Sequence, residues 1–150
     1  MEKISIYSFK TSERPDLYEK ALRIRKDVFI EEQNVDPAIE IENEDQSTHY
    51  LLIADGTPKA TARWRETPDG IKLERFATVK GSRNKGLGAL ILKAVMDDIL
   101  PTNKKIYLHA QARVVSFYLR HGFGITGDKF LEANIEHYPM EYIKSLDLRV

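Results

Sequence analysis

A glycine-rich turn between a predicted strand and a predicted helix is the strongest candidate for chemistry in this sequence. The turn reads Arg83-Asn84-Lys85-Gly86-Leu87-Gly88. Residues 71–79 before it are rich in apolar and β-branched types and predict a strand, and apolar residues at helical spacing follow it up to Ile99. Glycines let backbone N–H groups approach a ligand, and the first N–H groups of a helix are unpaired at the positive end of its dipole. The turn is therefore predicted to bind phosphate or pyrophosphate.

Two common phosphate-binding loops do not fit this turn. A P-loop requires Lys and Ser or Thr after its last glycine, but Ala89 and Leu90 follow Gly88. A dinucleotide fingerprint requires a third glycine, and Ile91 occupies that position. The pattern that remains is R-x-x-G-x-G between a strand and a helix.

A second motif lies about thirty residues downstream, directly after another predicted strand. Residues 112–123 read A-x-x-x-x-F-Y-x-x-x-G-F, with the aromatic pair at Phe117 and Tyr118. In this order the two motifs resemble the GNAT family of N-acetyltransferases, and the resemblance extends from about Leu17 to Tyr142. Three segments are similar to the ElaA-like branch of that family: 28–33, 108–111 and 135–140.

The resemblance implies an α/β domain of GNAT-like (acyl-CoA N-acyltransferase) fold spanning residues 1–150. In that fold a mixed, mostly antiparallel sheet is flanked by helices, and the fourth and fifth strands splay apart to hold the cofactor. The cofactor it implies is acetyl-CoA or coenzyme A as a cosubstrate, and the activity is transfer of an acetyl group to an amine.

The resemblance also assigns cofactor-binding residues. Strand backbone would contact the pantetheine arm at Phe76, Ala77 and Thr78. The pyrophosphate would be wrapped by the backbone of Arg83, Asn84, Lys85, Gly86, Leu87, Gly88 and Ala89. Gln111 stands where other members carry an asparagine near the cofactor, and Tyr118 would lie beside the thioester sulfur.

Acyl transfer by direct attack requires a neutral amine, donors for the oxyanion and a proton for the leaving thiolate. Tyr118 is the candidate acid, because a tyrosine pKa of about 10 is near a thiol value of about 8.5; the alternative is packing against Phe123. Glu74 is the candidate base, since period-two alternation places it on one strand face with Phe76 and Thr78. Its alternative is an ion pair with a neighbouring arginine of the preceding strand, Arg63 or Arg65.

No motif specifies which residues bind the acceptor amine. His49 and His137 start strands and could border a cleft, whereas a lone histidine in an apolar strand, such as His109, is more often a hydrogen-bonded core residue. The acidic run 40–45 could bind a cation or be a solvated loop, and arginines such as Arg25, Arg63 and Arg65 could instead bind a carboxylate. The sequence therefore predicts that the acceptor is a small-molecule or peptide amine and leaves the charge of the rest of the acceptor open.

Two alternative functions share the same fold. The pattern Arg25, Phe29, Glu42, Asp45 and His49 also resembles acyl-homoserine-lactone synthases, whose chains are usually longer and whose glycine loop is less clear. A non-catalytic CoA-binding regulatory module is the third interpretation, because a fold does not determine an activity.

Composition excludes several other classes. The 150 residues hold equal numbers of basic and acidic side chains, 23 each, so no global basic field favours nucleic acid. The absence of cysteine excludes disulfides and thiolate chemistry, and four scattered histidines predict no metal site. With no apolar run of membrane-spanning length, we expect a soluble cytoplasmic protein without membrane partners. The sequence leaves open whether two copies form a homodimer.

The predicted elements place the motifs in order along the chain. Strands are expected at 3–9, 48–54, 59–65, 71–79 and 106–110, with weaker strands near 124–129 and 137–143. Helices are expected at 15–30, 87–99 and about 112–121, and residues 31–47 form a long loop with one short helix. This β-α-loop-β-β-β-α-β-α-β-β order indicates a mixed sheet covered by helices.

Overall fold

The computed structural model describes residues 3–143, and its backbone forms one mixed sheet with helices on both faces. The strands are β1 Ile4–Phe9, β2 Thr48–Ala54, β3 Thr57–Thr67, β4 Gly70–Thr78, β5 Ile106–Gln111, β6 Phe123–Ile125, β7 Phe130–Glu132 and β8 Ile135–Tyr142. The α-helices are α1 Pro15–Arg25, α2 Pro37–Glu40, α3 Leu87–Ile99 and α4 Val115–Leu119. A π-helical segment, Lys26–Glu32, continues α1, and single 3₁₀ turns cover Leu100–Thr102 and Ala112–Val114.

The sheet order confirms the predicted fold class. Strands β1 to β4 are antiparallel neighbours in chain order, β4 and β5 are parallel, and β8 pairs antiparallel with β5. Strands β6 and β7 both pair with the other edge of β8. The parallel pair requires the crossover that α3 supplies, so the glycine turn at the start of α3 lies beyond the C-terminal end of β4.

Two hydrophobic cores lie on opposite faces of the sheet because strand side chains alternate. Leu52 of β2 packs with α3 residues such as Ile91 and Val95 in one core. The adjacent Leu51 packs with α1 residues such as Leu17 in the other. The two faces are called the α3 face and the α1 face below.

The loop predicted at 31–47 contains one short helix, α2, which confirms that expectation. The Asp36 side chain caps α2 by accepting a hydrogen bond of 2.9 Å from the Ala38 N–H. The helix predicted through Ile30 ends as an α-helix at Arg25 and continues as the π-helical segment to Glu32. Among the described residues, no helix has the length and apolarity needed to cross a membrane.

The C-terminal strands differ most from the prediction. The strand expected near 124–129 is short, and β7 was not predicted. Ala133 and Asn134 turn β7 into β8 with φ values of 50° and 64°. The turn was missed because its first residue is an alanine, which rarely adopts a left-handed conformation.

Candidate active site

A cavity of about 1040 Å³ runs along the gap between β4 and β5 and through to both faces of the sheet. One end is lined by the glycine turn and α4, and includes Gly86, Gly88 and Tyr118. The other end is lined by residues of β5, β7 and β8, and includes His109 and Glu132. The sequence motifs therefore converge on one cavity.

The gap exists because β4 and β5 pair over only three positions. Ile71, Lys72 and Leu73 pair with 106–108, after which neither 74–78 nor 109–111 has a partner across the gap. The outer edges of both strands stay paired, β4 with β3 and β5 with β8. The unpaired inner edges therefore offer backbone donors and acceptors to an extended ligand. This gap is the splay of the fourth and fifth strands that the resemblance implied.

A β-bulge lies in β4 where the gap begins. The pairing with β3 shifts between Thr61–Ala77 and Arg63–Glu74, and Arg75 at the bulge has a φ of 58°. A bulge restarts the alternation of side chains. Phe76 consequently packs on the α3 face, whereas Glu74 lies on the α1 face with Arg63. The prediction that Glu74 and Phe76 share a face was wrong for this reason.

The glycine turn has the geometry of an anion site. Gly86 caps the start of α3 with a φ of +80°, a conformation that favours glycine. The Leu90 N–H donates to the Gly86 carbonyl over 3.2 Å, so the N–H groups of 87–89 precede the first helical hydrogen bond. A Cβ on Gly88 would lie 3.5 Å from Phe117, an ordinary contact. Gly86 is therefore the position where the backbone itself requires glycine.

The Arg83 side chain fixes the turn in place. Arg83 donates to the Thr78 carbonyl over 2.9 Å and to the Glu32 carboxylate over 2.7 and 3.0 Å. The turn is thereby fixed to the end of β4 and to the π-helical segment. Lys85 is exposed and does not line the cavity, whereas the remaining predicted residues of the turn do.

Tyr118 lies in an aromatic cluster at the bottom of the cavity. Its ring centroid is 6.1 Å from that of Phe76, 5.1 Å from Phe117 and 5.7 Å from Phe123. Burial raises the pKa of its hydroxyl. Among residues 3–143 the Tyr118 hydroxyl has no protein hydrogen-bond partner. Every fully buried side-chain oxygen in this range has a partner, so the Tyr118 hydroxyl oxygen is not itself fully buried. The hydroxyl is thus free to donate to a ligand in the cavity.

Glu74 lines the cavity but is surrounded by cations. Its carboxylate accepts hydrogen bonds from Arg63 over 3.0 Å and from Arg65 over 2.8 Å, and Lys72 lies 3.4 Å away. Burial alone would raise the pKa of Glu74, but the Arg65 hydrogen bond and the charges of Arg63 and Lys72 outweigh it and lower the pKa to about 2. The structure therefore shows the ion-pair alternative, which makes Glu74 a weak proton acceptor.

Two residues of the acidic run take part in a buried ion-pair network. Glu40 accepts from Arg25 over 2.8 Å, and both side chains are almost fully buried. Glu44 bridges Arg25, at 2.8 Å, and Arg63. The network fixes the 31–47 loop against the α1 face, so neither proposed role of the run, a cation site or a solvated loop, describes these two glutamates.

Three residues predicted to bind the acceptor lie away from the cavity. Arg25 and Arg63 are committed to the ion-pair network. His49 is 1% exposed, and its ring lies against Phe9 and Tyr18. These three predictions are corrected. Arg25 and Arg63 pair with buried carboxylates, His49 packs in the α1-face core, and none of the three residues lines the cavity.

Other predicted residues do lie at the cavity. Phe29 lines it from the π-helical segment. Gln111 also lines it, and its amide donates to the Gln33 side chain over 2.8 Å. His109 and His137 line its far end, beside Glu132, which the sequence reasoning missed because β7 was not predicted. No cluster of three metal-ligating side chains occurs within the described part of the chain.

The fold, the gap and the glycine turn together define a GNAT-type acyltransferase. A family model described as an acetyltransferase (GNAT) domain matches residues 13–144. The chain therefore belongs to the GNAT family, whose members bind acetyl-CoA or CoA. A Bacillus subtilis protein named uncharacterized N-acetyltransferase YjcF is 34% identical over 123 residues, which are 80% of this chain and 88% of that protein.

Solved structures share the fold. Escherichia coli ElaA is 24% identical, with a TM-score of 0.79 over 92% of this chain and 99% of that one. A CoA-dependent acyl-homoserine lactone synthase, BjaI, solved with S-adenosylmethionine and isopentyl-CoA, is 17% identical. Its TM-score is 0.76 over 97% of this chain and 87% of that one. At these identities the likeness shows the fold alone.

Proposed function

We propose that the protein transfers an acetyl group from acetyl-CoA to the amine of a small molecule or peptide. The observation that supports this most is the continuous cavity, which joins a glycine anion site to an unpaired strand edge and then to a second opening. Such a path accommodates pyrophosphate, pantetheine and acceptor in sequence. No covalent enzyme intermediate is needed, since the amine attacks the thioester directly.

Each part of the cofactor has a matching surface. The N–H groups of 86–89 bind the pyrophosphate at the start of α3. The edge of β4 from Phe76 to Thr78 binds the amide groups of the pantetheine arm, and the thioester then reaches the bulge. Strand N–H groups near Ala77 stabilise the oxyanion of the tetrahedral intermediate, and the Tyr118 hydroxyl donates to the departing sulfur.

The acyl-homoserine-lactone alternative loses part of its support. Arg25 and His49, two residues of the pattern that suggested it, are buried away from the cavity. The structural likeness to BjaI is one of fold. Acetyl transfer to an amine is therefore the preferred reaction, ahead of lactone synthesis and of a non-catalytic CoA-binding module.

A thiol-release assay tests the proposal. Acetyl-CoA is incubated with the protein and a panel containing spermidine, glucosamine, phenethylamine and short peptides, and free CoA is measured with a thiol reagent. Amine-dependent thiol release with an acetylated product in the mass spectrum supports the proposal. CoA binding by calorimetry with no release for any amine supports the non-catalytic module. In a parallel incubation with S-adenosylmethionine, release that requires an acyl-CoA other than acetyl-CoA supports the lactone synthase.

A further inference from the structure

The far end of the cavity contains a histidine paired with a carboxylate. His109 is the first residue of β5 beyond the last pair with β4, so its side chain stands where the gap opens. Leu108 before it packs in the α3-face core, which places His109 on the α1 face. Tyr118 belongs to the α3-face core. The gap therefore separates His109 on one side from the Tyr118 hydroxyl on the other.

The pair has a defined hydrogen-bond direction. His109 Nδ1 lies 3.1 Å from Glu132 Oε1, and this hydrogen bond lowers the pKa of Glu132. An ionised carboxylate can only accept, so the proton of the neutral imidazole is on Nδ1. The other ring nitrogen, Nε2, then carries a lone pair. Within residues 3–143 this Nε2 has no hydrogen-bond partner.

The surrounding residues hold this arrangement in place. The Phe130 ring meets the His109 ring edge to face, with centroids 5.0 Å apart. His137 donates its own Nδ1–H to the Ile135 carbonyl over 2.7 Å, and its Nε2 lies 3.8 Å from the second oxygen of Glu132. Glu132 thus lies between two histidines and forms its hydrogen bond with His109, since the His137 Nε2 is beyond hydrogen-bond distance.

We propose that His109, oriented by Glu132, is the general base that removes a proton from the acceptor amine. This inference rests on the proposed acetyl transfer. Glu132 is a positioning residue, since its carboxylate acts through the imidazole. The arrangement of a base held by a third group is the usual way in which a histidine is kept in one tautomer for proton transfer.

The proton balance of the reaction is complete with these groups. His109 Nε2 takes one proton from the incoming ammonium, and the free amine attacks the thioester carbonyl. The C–N bond forms, the C–S bond breaks and the electron pair of that bond leaves on sulfur. The imidazolium then releases its proton to solvent. The second proton lost by nitrogen balances the proton taken up by the CoA thiolate, beside Tyr118.

The charged and titratable groups around His109 have to be considered in any measurement of its role as a base. Glu132 faces it from β7 and His137 from β8. Lys72 and Glu74 of β4, and Arg65 of β3, line the same end of the cavity. Tyr107 lies two residues before His109 on β5, and the centroids of their rings are 6.1 Å apart. His137 is the other imidazole at this end of the cavity, so its variant has to be measured beside that of His109.

The experiment measures kcat/KM for the best amine of the panel as a function of pH, in the wild type and three variants. His109→Gln should lose about 10²- to 10⁴-fold, the range of a missing general base, and the fall in rate toward acid pH should disappear. His137→Gln should keep that fall. Glu132→Gln should lower the rate and leave acetyl-CoA affinity unchanged, whereas Glu136→Gln, an exposed neighbour on β8, should behave as wild type.

Nitrogen NMR of the histidine side chains gives a readout that needs no turnover. At a pH where the imidazole is neutral, His109 should be protonated on Nδ1, and Glu132→Gln should shift it toward the Nε2–H tautomer. A wild-type rate and unchanged pH profile for His109→Gln in an active enzyme would overturn the base assignment alone. An Nε2–H tautomer in the wild type would overturn it as well. Absence of transfer to any amine by the wild type would instead contradict the proposed function.

Discussion

Replacing Tyr118 by phenylalanine separates a catalytic hydroxyl from a packing ring. The ring contacts to Phe76, Phe117 and Phe123 are retained, and the hydroxyl has no protein partner among the described residues to lose. We therefore expect the free energy of unfolding to change by less than about 1 kcal/mol. Acetyl-CoA affinity should also be preserved.

The size of the catalytic effect follows from the environment of the hydroxyl. The ordinary pKa of a tyrosine is already above that of a thiol, and burial raises the pKa of Tyr118 further, so the hydroxyl stabilises the departing thiolate mainly as a hydrogen-bond donor. A hydrogen bond to a charged group contributes roughly 1.5–3 kcal/mol. At about 1.4 kcal/mol per tenfold change, Tyr118→Phe should lower kcat by about 10- to 150-fold with little change in the Michaelis constant for acetyl-CoA.

The assay is single-turnover acetyl transfer, so that chemistry rather than product release is measured. Tyr142→Phe is the matched control, since the Tyr142 ring also meets Phe123 edge to face, with centroids 5.4 Å apart, but does not line the cavity. A wild-type single-turnover rate for Tyr118→Phe would show that the ring has only a packing role. An equal loss in both variants would point to a disturbed aromatic cluster instead.

Three further predictions concern the cofactor loop and the ion-pair network. Gly86→Val should weaken CoA binding in calorimetry by at least ~100-fold, the loss of two charge-assisted hydrogen bonds at roughly 1.5 kcal/mol each. Gly56→Val is the matched control, because both glycines have a φ near +80° and open space at Cβ; equal CoA affinities would contradict the site. Lys85→Ala should weaken CoA binding by no more than ~5-fold, as its charge is exposed, and a loss as large as that of Gly86→Val would show that side-chain charge holds the phosphates. Stability should fall as the pH drops from about 5 to about 2, because the pKa of Glu44 is lowered from 4.5 to about 2. That lowering corresponds to about 3 kcal/mol, present above pH 5 and lost on acidification. Glu74, whose pKa is also lowered to about 2, adds to the same dependence. Glu44→Gln should therefore remove only part of it in acid unfolding, and an unchanged acid transition would exclude Glu44 as a cause.

The sequence predicted the parts of the site that depend on local patterns. Gly86 is required by its left-handed backbone, and the strand before it and the helix after it have clear periodicity. Both features are properties of neighbouring residues, so they can be interpreted without the fold. The splay was implied by resemblance and is visible in the short β4–β5 pairing.

The parts that were missed depend on contacts between distant residues. Period-two alternation put Glu74 beside Phe76, and the bulge at Arg75 reversed that relation. Charge alone suggested that the acidic run meets solvent or ligand, but Glu44 lies 19 positions from both arginines it bridges. Such pairs form only when the sheet brings the 31–47 loop against α1 and β3.

A crystal structure with acetyl-CoA at saturating concentration would locate each part of the cofactor on the protein. We expect the pyrophosphate within hydrogen-bond distance of backbone N–H groups of 86–89, the pantetheine arm along Phe76–Thr78, and the thioester between Tyr118 and His109. Acetyl-CoA bound elsewhere, with the β4–β5 gap empty, would contradict this placement.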